Sequence, residues 1–174
     1  MSEENAVSNE ENVFEEPSTG YKGGEKMPLA GYATLVGVYN AAFAAVLLAA
    51  KHSGRDLPKR VSVADLLLMG VATHKLTRLI TKDWVTAPLR APFTEYEESA
   101  GGGEVIEKSR GEGLQRAIGD LATCPWCSAP WVAAALGFGF VFVPRVTRFV
   151  SGVFAAVTIS DFLQHAYDAA KEKK

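Results

Sequence analysis

Two long uncharged runs constrain this chain more than any other feature. Leu29–Ala50 is 22 residues without a formal charge, and Ser128–Pro144 is 17 more. An α-helix rises about 1.5 Å per residue, so about 20 apolar residues cross a hydrocarbon core of about 30 Å. Leu29–Ala50 is therefore expected to be a transmembrane helix.

Whole-chain composition hides this signal. A net charge of −2 and 22% charged residues describe an ordinary soluble domain. The charges are segregated, however. Residues 1–28 hold seven Glu against Lys22 and Lys26, with Ser, Asn and few apolar side chains. Such a segment cannot bury enough surface to offset its ordering entropy, so a disordered acidic tail is expected. Its start lacks the basic, apolar and cleavage regions of a secretory signal.

Within residues 29–50, Gly31, Ala33, Gly37, Ala41 and Ala45 recur at close to four-residue spacing. Gly37, Ala41 and Ala45 share a face, and small residues let helices approach closely in lipid, which suits a homo-oligomer; the alternative is that alanines are simply tolerated there. Lys51, His52, Arg55, Lys59 and Arg60 form a basic loop interrupted by Pro58. Residues 61–83 support two readings. Leu68, Met69, Ala72, Leu76, Leu79 and Ile80 share a helical face, but Asp65, His74, Lys75, Arg78 and Lys82 limit the apolar length. The segment is either a short span with a snorkelling basic end or an interfacial helix.

In residues 84–93, Pro88 and Pro92 predict an extended path. Residues 94–110 flank a triple Gly, consistent with a hairpin or a mobile loop. Leu114, Ala117, Ile118 and Leu121 predict a short amphipathic helix over 112–123. Residues 124–168 are expected to form a transmembrane helical hairpin broken at Pro144, followed by a basic tail at 169–174. The expected fold is all-α. It is a small polytopic membrane bundle of three spans and one undecided helix, with an irregular cytoplasmic loop at 84–123.

Cytoplasmic flanks of membrane helices are enriched in Lys and Arg. Three spans place fourteen of these residues inside against four outside, and four spans place twelve inside against six outside. Both solutions put residues 84–123 and the C-terminus in the cytoplasm, as in a multi-pass protein of a bacterial inner membrane. They differ in the side occupied by the acidic tail.

Cys124 and Cys127 form the C-x-x-C motif Cys-Pro-Trp-Cys. With Cys124 as helix N-cap and Pro125 in the first turn, the helix dipole would lower a thiol pKa. Three roles remain open: structural packing beside Trp126 and Trp131, thiol exchange, or Zn binding. A tetrahedral Zn site needs four ligands, and His74 and His165 are the partners that the topology places at the same membrane level. Without that site no cofactor is expected. Asp65, Arg78, Asp83 and Asp161 are ionisable groups within or at the ends of helices. They are costly in lipid and each needs a partner on another helix. Trp84, Trp126 and Trp131 flank the spans as interfacial anchors.

No P-loop, dinucleotide fingerprint, nucleophile elbow or zinc-protease motif occurs. The basic residues suit contact with anionic lipid. No aromatic platform supports nucleic-acid binding.

The run A-T-H-K-L-T-R-L-I-T-K-D-W-V-T-A-P-L-R-A-P-F (Ala72–Phe93), followed by C-P-W-C-S-A-P-W (Cys124–Trp131), resembles domain of unknown function 1360 of bacteria and their phages. The resemblance covers roughly residues 61–168. It implies a small integral membrane protein and supplies no catalytic residues. The expected role is a non-enzymatic membrane scaffold or interaction protein. Alternatives are a membrane dithiol or metal-binding protein and a pore-forming, holin-like protein.

Overall fold

A computed structural model describes residues 27–172. Most of the acidic tail expected at 1–28, and the end of the basic tail at 169–174, lie outside the described residues. The described chain is mostly helical. Its elements are α1 (Leu29–His52), α2 (Val63–Thr81), a 3-10 turn (Trp84–Thr86), α3 (Ala87–Arg90), β1 (Thr94–Gly101), β2 (Glu104–Ser109), α4 (Gly113–Thr123), α5 (Pro125–Phe142) and α6 (Pro144–Glu172).

Local chemistry sets the boundaries. The α1 run extends two residues past Ala50, where Lys51 and His52 oppose the negative end of the helix dipole. At the start of α2, the Ser62 hydroxyl accepts from the Asp65 N–H at 3.0 Å, and the Asp65 carboxylate favours the same terminus. Val143 alone separates α5 from α6, because Pro144 cannot continue one helix but readily begins the next. α6 continues to Glu172, through four of the residues expected in the basic tail.

Among the described residues, three helices are long and apolar enough to cross a membrane: Leu29–His52, Pro125–Phe142 and Pro144–Lys171. α2 is not among them. It nevertheless packs along both α5 and α6, while α1 rests on α4 and α5. Two ion pairs fix the direction of α2 against α6. Asp65 binds Arg148 through two contacts of 2.9 Å, and Lys75 reaches Asp161 at 2.9 Å. Both partner numbers rise together, so α2 and α6 run parallel.

α1 runs parallel to α5 in the same way. Tyr39 meets Trp131, Phe43 meets Phe138, and Arg55 beyond α1 donates to the Phe142 carbonyl at 2.5 Å. The start of α1, the end of α2, the β-hairpin and the cysteine pair therefore share one end of the bundle.

The interior is small and hydroxylated. Ala72, Ala117, Thr77, Thr147, Ser151 and Thr158 are buried, whereas Val36, Leu67, Phe149, Phe162 and Leu163 are among the large apolar residues left exposed. The hydroxyls of Thr77, Thr147 and Thr158 each bond a carbonyl one turn earlier, so burying them strands no donor. Gly139 lets α6 approach α5, since a Cβ there would lie 2.6 Å from Thr147 Oγ1.

Residues 84–123 are ordered rather than irregular, and the fold is not purely helical. β1 and β2 pair antiparallel, with Thr94 opposite Ser109 and Gly101 opposite Glu104. Gly101, Gly102 and Gly103 all have positive φ, which explains the triple glycine at the turn. The extended path expected from Pro88 and Pro92 is replaced by the 3-10 turn and α3. Pro88 stands in the first turn of α3, where a helix has no need of its missing N–H.

Candidate functional site

Cys124 takes extended backbone angles and caps α5, and its Sγ accepts from the Cys127 N–H at 3.2 Å. Pro125 fills the first turn, as the sequence suggests. The two Cα atoms are 5.3 Å apart and the sulfurs lie within disulfide-bonding distance. Cys124 is half-buried and Cys127 is exposed. The α4–α5 junction behind them is pinned by the Ser128 hydroxyl, which donates to the Leu121 carbonyl at 2.6 Å.

A cleft of about 450 Å³ opens beside the pair, between α1, α4 and α5. Tyr32, Leu35, Tyr39, Asp120, Cys127 and Trp131 contribute to its walls. Trp131 meets Tyr39 edge-to-face at 5.0 Å and forms part of the cleft wall. Trp126, by contrast, is 88% exposed. At the α4 side, the Tyr32 hydroxyl donates to Asp120 at 2.6 Å and the Ser109 hydroxyl donates to its other oxygen at 2.5 Å. Close approach of α1 depends on Gly31, where a Cβ would lie 2.8 Å from Ala117 Cβ.

The histidines stand apart from this site. His74 and His165 are exposed on α2 and α6, and among the described residues no three His, Cys, Asp or Glu gather as metal ligands. Of the ionisable residues expected to need partners on other helices, Asp65 and Asp161 have them, and Arg78 has its partner on β2 instead. Asp65 and Asp161 hold Arg148 and Lys75, and Arg78 Nε donates to Glu104 at 2.8 Å. Asp83 acts through its backbone, bridging Glu104 and accepting from Arg90 at 3.2 Å.

Sequence reasoning missed Arg90 and Glu107. Arg90 is buried; its Nε donates to Glu107 at 2.5 Å, and Nη1 donates to the Ile80 carbonyl at 2.8 Å and Thr86 Oγ1 at 2.6 Å. Val105 and Trp84 add backbone bonds to Lys82 and Gly103. The hairpin is thereby clamped to the end of α2. The clamp's outer side leaves Trp84, Val85, Leu89 and Tyr96 exposed. The charged residue inside A-P-L-R-A-P was the available signal, but its partner lies 17 residues away.

A family model described as "Protein of unknown function (DUF1360)" matches residues 68–167. The chain belongs to this family. The match includes the hairpin clamp and both cysteines but leaves out α1, so one wall of the cleft lies beyond it. The chain is 32% identical over 88 residues to UPF0713 protein YngL of Bacillus subtilis (strain 168), covering 50% of this chain and 65% of that protein. It is 28% identical over 102 residues to Sporulation protein YjcA of the same strain, covering 57% of this chain and 86% of that protein. No solved structure matches.

Proposed function

We propose that this chain is a multi-pass protein of the bacterial cytoplasmic membrane that acts as a scaffold, offering its clamped hairpin to a protein partner in the cytoplasm. The observation that carries this reading is the inverted distribution of side chains. Ser, Thr and Ala lie between the helices, while Leu, Val and Phe cover their outer faces. Water would oppose that arrangement, whereas lipid favours small residues between helices and large apolar residues outside.

We read four crossings, with α2 as the fourth, and the alternating helix directions support that reading. α2 lies alongside two apolar helices and carries Asp65 and Lys75 in pairs with α6, which lowers the cost of placing them in lipid. Residue 29 then lies on the same side as the hairpin, in the arrangement with twelve basic residues inside against six outside. Anionic headgroups are the lipid contact for that basic end.

Alkaline carbonate should leave the chain in the membrane pellet, with detergent needed to release it. Release by carbonate alone overturns the membrane reading. A photo-crosslinker at Leu89 should capture one reproducible protein partner, lost in a Trp84→Ser, Val85→Ser variant that still inserts. Collapse of membrane potential on expression would instead favour a pore former.

A second reading rests on the cysteine geometry. A dithiol at a helix N-terminus, with Cys127 exposed, suits reversible thiol–disulfide chemistry within the same bundle.

A further inference from the structure

We propose that the cleft between α1, α4 and α5 binds a lipid-soluble quinone, and that the Cys124–Cys127 dithiol passes two electrons to it. This inference rests on the dithiol reading and extends it by naming the electron acceptor.

Cys127 belongs both to the sulfur pair and to the cleft wall. An oxidant in the cleft therefore meets Cys127, while Cys124 at the helix cap holds its sulfur within bonding distance of that of Cys127. Leu35, Tyr39 and Trp131 form apolar and aromatic walls suited to a flat ring, and about 450 Å³ lies within the range of small-molecule pockets. Two of the bounding helices, α1 and α5, are apolar enough to cross a membrane, so the natural visitor is a molecule dissolved in lipid.

The polar end of the cleft selects among such molecules. Tyr32 and Ser109 both donate to Asp120, which leaves the carboxylate's remaining lone pairs as acceptors. A bare acyl chain offers nothing to an acceptor. A quinone offers no donor either, but its reduced form carries two O–H groups. The site thus binds the hydroquinone more favourably than the quinone and draws the reaction toward ring reduction.

The step balances. Two S–H bonds break, one S–S bond forms, and the pair loses two electrons and two protons. The quinone gains both, converting its two C=O groups to C–OH.

The test uses full-length, reduced protein in lipid nanodiscs and a short-tailed benzoquinone with every ring carbon substituted, which blocks thiol addition. Loss of quinone absorbance should match disulfide formation at one quinone per chain. Leu35→Trp, which fills the cleft, and Asp120→Asn, which weakens the acceptor, should each slow the reaction by about tenfold or more. Val153→Trp, on an exposed part of α6, should leave the rate unchanged. Monodisperse elution of each variant excludes unfolding as the cause. If diamide oxidises the wild-type pair but the quinone does not, or if both cleft variants match wild type, the quinone inference falls and the dithiol reading stands. If neither oxidant forms the disulfide, the dithiol reading falls with it.

Discussion

Removing the Glu107 carboxylate should release the hairpin from α2. Arg90 is 2% exposed and the Glu107 side chain 7%, so Glu107→Ala leaves a guanidinium buried without its counter-charge. Breaking one side of a buried pair costs about 3–5 kcal/mol. The low end applies here, because the Ile80 and Asp83 carbonyls and Thr86 Oγ1 still accept from Arg90. About 3 kcal/mol corresponds to roughly a hundredfold rise in local opening. Amide hydrogen exchange at Val105 and Trp84, whose N–H groups bond Lys82 and Gly103, reads that opening directly. Glu95→Ala is the control. Its pair with Lys108 spans 3.5 Å between half-exposed side chains, and such surface pairs are worth about 0–1 kcal/mol. Arg90→Met combined with Glu107→Leu should recover most of the loss, since no charge is then stranded. Equal protection loss in Glu107→Ala and Glu95→Ala would refute the clamp.

Two further substitutions probe the packing. Gly119→Ala puts a Cβ 2.4 Å from the Phe93 carbonyl oxygen and 2.8 Å from Ser109 Cβ, so it should destabilise by about 1–3 kcal/mol in thermal or chemical melts. Gly137→Ala, which meets nothing within 4 Å, should be neutral or stabilising, and equal effects at both positions would contradict the α4–hairpin contact. Lys75→Met or Asp161→Leu alone should lower the yield of monodisperse protein, and exchanging the two charges should restore it. A swap no better than either single change would remove the pair from the account of how α2 is held.

The apolar helices were legible because a long run without charge needs no tertiary information. Cys124 as a cap with Pro125 in the first turn was also legible, since both residue types have a local preference for those positions. The turn at Pro88 was not. Proline excludes a helix interior but is welcome in a first turn, and choosing between these requires knowing that Arg90 is drawn inward by Glu107. Asp65 and Asp161 have partners on another helix, as expected, but which residues these are depends on helix direction, which composition does not encode; the partner of Arg78 lies on β2 instead. The grouping of His74 and His165 with the cysteines came from membrane level alone. Level gives height along the bundle, not azimuth around it.

The most direct test of the account is the side of the membrane reached by each connection. Lys59→Cys and Glu97→Cys, each placed singly in a Cys124→Ser, Cys127→Ser background, report the α1–α2 loop and the hairpin. An impermeant maleimide should label position 59 in intact cells and position 97 only after the membrane is opened. Labelling of both positions from the same side would mean that α2 does not cross, and the four-crossing bundle would be wrong.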